Sequence, residues 1–148
     1  MGYYLKAFIG SPDVIEKFAG SYNYGKAIKL NDSISIMPFT HEFFDEINKK
    51  MTSENILSFE FLTTNIEDSA LNLIGLRPIA YIEAEYFGGV GGQMGIIWKD
   101  GNRFLEFDYD QGVINSILKY FGVVAVSGLD EFDTLKLGRF RDTIDWIA

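Results

Sequence analysis

Carboxylates are the residues of this sequence with the greatest capacity for chemistry, and they concentrate in its second half. Between positions 78 and 135, nine acidic side chains stand against three basic ones. Alternation places Glu83 and Glu85 on one side of a predicted strand, and Glu106 and Asp108 on one side of another. Acidic and aromatic residues together can dock a basic protein, so these are the candidate partner-binding residues: Glu83, Glu85, Tyr86, Glu106, Asp108, Asp110, Asp130, Glu131 and Asp133.

An alternative role for the same carboxylates is as catalytic or metal-binding groups. Glu83 and Glu85 could form an acid–base pair, but a solvated sheet surface is the simpler interpretation of two alternating acids. The segment that starts at Asp108 begins like a calcium loop. It then places Gly112 and Val113 where a ligand and a glycine are required. Asp110 is instead predicted to cap the helix that follows. A surface with self-contained ion pairs is a further interpretation, in which arginines near the C-terminus neutralise part of the last acidic cluster.

A glycine-rich segment at positions 88–92 is the most conspicuous local feature. A phosphate-binding loop would end in Gly-Lys-Ser/Thr before a helix, whereas Gln93 and a predicted strand follow here. The dinucleotide spacing fails as well, because Met94 occupies the position of the third glycine. The segment is predicted to connect two strands where positive φ or close backbone approach is needed. The alternative is that a ligand or partner touches the bare backbone of the four glycines: Gly88, Gly89, Gly91 and Gly92.

Other catalytic patterns are incomplete. His41 is the sole histidine, and Asp45 stands where a zinc-protease helix needs its second histidine. The two are predicted to form a polar pair in the first turns of a helix. No Gly-x-Ser-x-Gly nucleophile turn and no cysteine occur. The sequence therefore predicts no catalytic residue, no metal site and no cofactor.

Composition narrows the classes further. The 148 residues carry a formal net charge of −8 with 47% hydrophobic residues, enough for one core without disulfides. A negative balance argues against binding nucleic acid or an anionic membrane surface. No apolar stretch approaches the ~20 residues that span a bilayer, and the start does not resemble a signal peptide. We expect a cytoplasmic protein.

The order of predicted elements favours an α+β fold with a mostly antiparallel sheet, because several strand pairs are joined as hairpins. About six to eight strands are expected, with helices packed on one face, in a single domain of residues 1–148. Thr40 is predicted to cap a helix that runs to about Lys50, and Thr64 to open another through a capping box with Glu67. Strands are predicted at residues 3–9, 27–30, 34–37, 56–62, 78–86, 94–99, 103–109 and 123–126.

Several segments resemble one family. They are YYLKAFIG at 3–10, IEAEYFGG at 82–89 and LDEFDTLKLGR at 129–139, with shorter matches at 92–93, 97–98, 114–115 and 118–123. Together they resemble a family of small uncharacterised bacterial proteins that look like the immunity-type proteins of polymorphic toxin systems. The resemblance implies a cytosolic binding protein that neutralises a toxin by covering it, and it implies no catalytic residue.

Three functional hypotheses remain open on the sequence. The first is an immunity-type inhibitor whose acidic surface binds a protein partner, such as a bacterial toxin domain. The second is a small carboxylate- or metal-dependent enzyme. The third is a structural homo-oligomer, for which the 16% aromatic content is the warrant.

Overall fold

Six strands, each antiparallel to its neighbours, form one sheet in the computed structural model, which describes residues 2–48 and 54–147. The α+β prediction is confirmed. The sheet order is β2-β3-β1-β4-β5-β6, so β1 and β4 lie at its centre. The strands are β1 (Gly2–Gly10), β2 (Ile28–Lys29), β3 (Ser35–Pro38), β4 (Ile79–Phe87), β5 (Val90–Lys99) and β6 (Asn102–Asp110).

Helices pack on both faces of this sheet, rather than on one face as predicted. None of the helices in the described part of the chain is long and apolar enough to cross a membrane. The predicted end of α2 at Lys50 lies outside the described residues. The helices are α1 (Pro12–Ala19), α2 (His41–Asn48), α3 (Thr64–Ile74), α4 (Val113–Tyr120) and α5 (Glu131–Thr134), followed by 3₁₀ turns at Leu137–Arg139 and Thr143–Trp146.

The central strands explain why both faces are covered. Successive residues of β4 from Ile79 to Ile82 are all buried, and so are those of β1 from Leu5 to Gly10. Because neighbouring side chains point to opposite faces, a continuous apolar run must be covered on both sides. Tyr81, predicted on the outer side of its strand, is completely buried.

The first face carries α1, α2 and α3 over an aromatic core. The ring of Phe8 in β1 lies at its centre, 4.8 Å from the ring of Phe18 and 5.0 Å from that of Tyr81. Thr40 caps α2 as predicted, since its hydroxyl accepts the N–H of Phe43 at 3.1 Å. The edge-to-face contact between Phe8 and Phe18 stabilises the core beyond the area that it buries.

The second face carries α4, α5 and the C-terminal turns over a mainly aliphatic core. Val113, Ile114, Ile117 and Leu118 of α4 are all buried against this face, as their spacing predicted. Gly95 of β5 allows the close contact, because a Cβ there would meet side-chain atoms of α4 at 2.5 and 2.9 Å. The sheet is thus the middle layer of three.

Two predicted strands are wrong. Residues 56–62 form turns with one isolated bridge between Asn55 and Thr63. Their buried residues are spaced by three (Ile56, Phe59 and Leu62), which suits a loop folded into the first core rather than alternation. Residues 123–126 are irregular and pair with no strand, and Val124 is 84% exposed. Apolar composition alone does not separate these irregular segments from strands.

Candidate functional site

The predicted acidic residues do not form one continuous surface, because the fold distributes them over three places. Glu83 and Glu85 line a cavity of about 170 Å³ on the first face. Asp130 lines a cavity of about 340 Å³ on the second face, together with Tyr86. Glu106, Asp108 and Asp110 lie along β6, beside a shallow depression of about 390 Å³. Each place has its own electrostatics.

Glu83 fastens a loop to the sheet. Its carboxylate accepts the backbone N–H groups of Glu60 at 2.8 Å and Phe61 at 3.0 Å, and the hydroxyl of Tyr81 at 2.7 Å. The side chain is half-buried, so the prediction of a solvated position is wrong for Glu83. Glu85, two residues further on, is exposed as predicted. The two carboxylates therefore differ in role although they share a strand face.

Lys6 lies next to Glu83 in the sheet, on the adjoining strand. Its residue surface is 3% exposed, and its Nζ lies 3.6 Å from the ring centroid of Phe61 and 5.3 Å from that of Tyr4. Among the described residues, Nζ has neither a hydrogen bond nor an ion pair. Burial lowers the pKa of Lys6, and the charges of Glu83, Glu60 and Asp142 offset part of that effect.

The mouth of this cavity is acidic. Glu60 and Glu85 are exposed there, beside the ring of Tyr109. Burial first, and then the nearby carboxylates, raises the pKa of Tyr4. Lys6 also lines this cavity, so a basic residue of the chain itself lies behind the acidic mouth.

Tyr86 belongs to a hydrogen-bond network on the opposite face. Its hydroxyl donates to Gln111 Oε1 at 2.7 Å and accepts from Gln93 Nε2 at 3.0 Å. Gln93 Oε1 in turn accepts the N–H of Ile114 at 2.8 Å in the first turn of α4. The predicted cap Asp110 does not reach that helix; its carboxylate accepts the N–H of Gln111 instead.

Of the three acids at α5, Asp130 has a structural role. Asp130 caps α5 by accepting the N–H of Asp133 at 2.8 Å, and it also accepts Asn115 Nδ2 at 3.1 Å. Glu131 is 8% exposed, whereas Asp133 is exposed. Arg139 and Arg141 are the C-terminal arginines that the sequence offers as neutralising partners for this cluster, and the structure gives Arg139 other partners. Its guanidinium donates to two backbone carbonyls, those of Leu135 and Lys136, and makes no ion pair with a described residue.

The glycine-rich segment is a turn followed by the start of β5, which begins at Val90 rather than at Met94 as predicted. Gly88 and Gly89 adopt φ of 61° and 80° and form the two-residue turn between β4 and β5. At Gly91, a Cβ would collide with the carbonyl oxygen of Glu85. The expected positive φ and close backbone approach are both present. A contact between this backbone and a partner stays a prediction.

A buried polar cluster missed by the sequence analysis joins α3 to the sheet. Glu67 accepts Arg103 at 2.7 and 2.9 Å and the indole N–H of Trp98 at 2.7 Å. Thr63 rather than Thr64 caps α3. The predicted capping box is therefore wrong, and Glu67 lies one turn inside the helix, facing the sheet.

Ion pairs are few in the part of the chain that the structure describes. Lys29–Asp32 and Arg103–Glu67 are the two with nitrogen–oxygen distances within 4 Å. Arg103 is the one basic residue of β6, and it is directed to Glu67. None of the three acids of β6 forms an ion pair within 4 Å with a described residue, although the charge of Glu106 helps to raise the pKa of Arg103. They are exposed: Glu106, Asp108 and Asp110.

The described residues form no metal-binding cluster. Over residues 2–48 and 54–147, no three acidic or histidine side chains converge as a metal site requires. His41 is exposed, with its ring 6.0 Å from that of Phe61.

No family model matches the chain, and no curated protein or solved structure matches it significantly.

Proposed function

We propose that this chain is a binding protein of the immunity type, which neutralises a basic partner protein such as a toxin domain. The observation that carries the proposal is the row of unpaired carboxylates on β6, namely Glu106, Asp108 and Asp110. An acidic surface whose charges are not used internally can steer a basic protein and form ion pairs across an interface. Glu60 and Glu85 add two exposed carboxylates at the cavity on the first face.

The distribution of charge supports a surface rather than a catalytic centre. The half-buried carboxylate of Glu83 accepts three hydrogen bonds from its own chain, which gives it a structural role in holding the loop at residues 60–61. Glu106, Asp108 and Asp110 are exposed along a single strand, and the depression that they line is open to solvent. Such an arrangement favours recognition of an extended basic surface over proton transfer at one atom.

Growth rescue tests the proposal. The full chain is co-expressed with the C-terminal domain of the protein encoded beside its own gene, which should be toxic when expressed alone, and the affinity of the purified pair is measured at two salt concentrations. We expect rescue by the wild type. The triple variant E106Q/D108N/D110N should bind about tenfold or more weakly, with a shallower salt dependence because fewer charges are neutralised.

A matched control removes the same charge elsewhere. The triple variant E16Q/E42Q/D68N changes three exposed acids of α1, α2 and α3. It should retain wild-type affinity and rescue. Equal losses in both triple variants would show that net charge matters and the β6 surface does not. A partner domain that neither binds nor is neutralised would contradict the proposed function itself.

A further inference from the structure

The two edges of the sheet differ greatly. β2 closes one side with two residues, whereas β6 closes the other with nine. Every residue of β6 except the half-buried Phe107 is exposed. Its backbone makes no hydrogen bond with a described residue outside β5. A long uncovered edge presents a row of unpaired N–H and C=O groups, which is a template for another strand.

The register identifies one residue whose backbone faces outward. The two-residue turn between β4 and β5 makes Phe87 and Val90 a hydrogen-bonded closing pair. Alternation along the unbroken β4–β5 ladder then directs the backbone groups of Ile96 toward β4. Glu106 lies opposite Ile96, so its own N–H and C=O point away from β5.

Side chains along the same edge specify the kind of strand that fits. Phe104 and Tyr109 are 49% and 63% exposed, and they offer apolar contacts at either end of β6. The carboxylates of Glu106, Asp108 and Asp110 lie between and beside them, and none forms an ion pair within 4 Å with a described residue. Like charges directly opposite each other destabilise strand pairing. Two copies joined through β6 would bring two sets of these acids together.

We infer that β6 accepts an extended, basic strand of the partner protein by β-augmentation, which adds a seventh strand to the sheet. Main-chain hydrogen bonds to the outward groups of β6 supply affinity, and Lys or Arg side chains of the incoming strand pair with the carboxylates of β6. The inference rests on the proposed function and adds the mode of binding to it.

Peptide probes test the mode of binding on the wild-type chain. One nine-residue peptide alternates Lys with Val and can form a strand; another of equal charge alternates Lys with Pro, whose fixed φ near −65° favours polyproline II over a pleated strand, and keeps N–H groups only on its Lys residues. Fluorescence anisotropy should show the Lys–Val peptide binding about tenfold or more tightly. Equal affinities, or no binding of either peptide, would overturn the inference.

A pair of substitutions at one position separates backbone pairing from charge. Glu106→Pro removes the outward N–H and spares the ladder to β5, whereas Glu106→Gln removes the same charge and keeps the N–H. Compared with Glu106→Gln, Glu106→Pro should bind the Lys–Val peptide about tenfold more weakly. The two variants should bind the Lys–Pro peptide with the same affinity. Thermal unfolding checks that both variants fold. Indistinguishable Lys–Val affinities for the two variants would contradict β-augmentation.

Failure of the inference is distinguishable from failure of the proposed function. The partner domain could fail to bind E106Q/D108N/D110N and yet bind Glu106→Pro as tightly as Glu106→Gln. This result would support the acidic surface and contradict strand addition. Sedimentation of the free chain tests whether it forms a dimer. A wild-type dimer that the Glu106→Pro substitution dissociates would show that a second copy occupies this edge, and it would overturn the assignment to a basic partner.

Discussion

Arg103 of β6 and Glu67 of α3 form a two-point ion pair, with Nε–Oε2 at 2.7 Å and Nη2–Oε1 at 2.9 Å. This pair ties the edge strand to the helical layer of the first face. It also neutralises the one basic residue of β6, whose side chain is still 36% exposed. The negative potential of the β6 edge is thus a consequence of how α3 is fastened to the sheet.

Replacing Glu67 by Gln should destabilise the fold. The substitution breaks the charge pair with Arg103 and weakens the acceptor for the Trp98 indole in a nearly buried position. We expect the free energy of unfolding to fall by about 2–3 kcal/mol in urea titrations. The exposed Glu16→Gln in α1 is the control, with a change within about 0.5 kcal/mol. Similar values for the two variants would show that the pair adds nothing to stability.

The same carboxylate makes stability depend on acid pH. Burial by itself would raise the pKa of Glu67, but the hydrogen bonds from Arg103 and Trp98 outweigh it and hold the pKa below its ordinary value of 4.5. Such a group stabilises the fold fully above its unfolded pKa, and this contribution is lost as pH falls through the folded pKa.

Urea midpoints of wild type and Glu67→Gln between pH 3 and pH 7 check this dependence. The difference in free energy of unfolding should be constant above about pH 5 and shrink below about pH 4. A difference that stays constant across the whole range would contradict the lowered pKa.

Replacing Lys6 by Met should stabilise the fold. The residue is 3% exposed and its ammonium lies among rings with no hydrogen bond to a described residue, whereas Met keeps the apolar stem and carries no charge. We expect a gain of about 1 kcal/mol at pH 7, against no gain for the exposed control Lys17→Met. A loss of stability in Lys6→Met would show that the ammonium–ring contacts outweigh desolvation.

The advantage of Lys6→Met should narrow at high pH. The pKa of Lys6 is lowered by burial from 10.5, so between the two values the unfolded chain binds more protons than the folded one. The stability conferred by this position therefore rises with pH across that window in the wild type. The difference between wild type and variant from pH 7 to 10.5 isolates this contribution from the tyrosines, which both proteins share.

Alanine substitutions should separate the roles of the glycines. At Gly91 a Cβ has no room beside the backbone of Glu85, so Gly91→Ala is expected to cost about 2–3 kcal/mol. At Gly89 the Cβ would meet open space, and the cost of φ at 80° is about 1 kcal/mol. Chemical unfolding of both variants measures the two costs. The reverse order would place the constraint in the turn instead of the strand.

Local pattern was sufficient for much of the fold. The buried face of α4 and the hairpin at Asp100–Gly101 were predictable, because helical periodicity and turn chemistry depend on neighbours a few residues apart. Pattern failed at residues 56–62, where apolar side chains at spacings of three enter a core shared with three helices. Alternation could not reveal that both faces of β4 are covered, because that depends on where distant helices pack.

The acidic character of the second half, with its carboxylates at Glu106, Asp108 and Asp110, follows from the sequence alone. The sequence alone does not show whether each acid is free or bound within the chain. Glu83 binds a loop 22 residues away, and Glu67 pairs with an arginine 36 residues away. Such partners are brought together by packing of the layers, not by spacing along the chain. The fold therefore leaves the acids of β6 exposed on an open edge. The carboxylates of Glu67 and Glu83 instead accept hydrogen bonds from other parts of the chain.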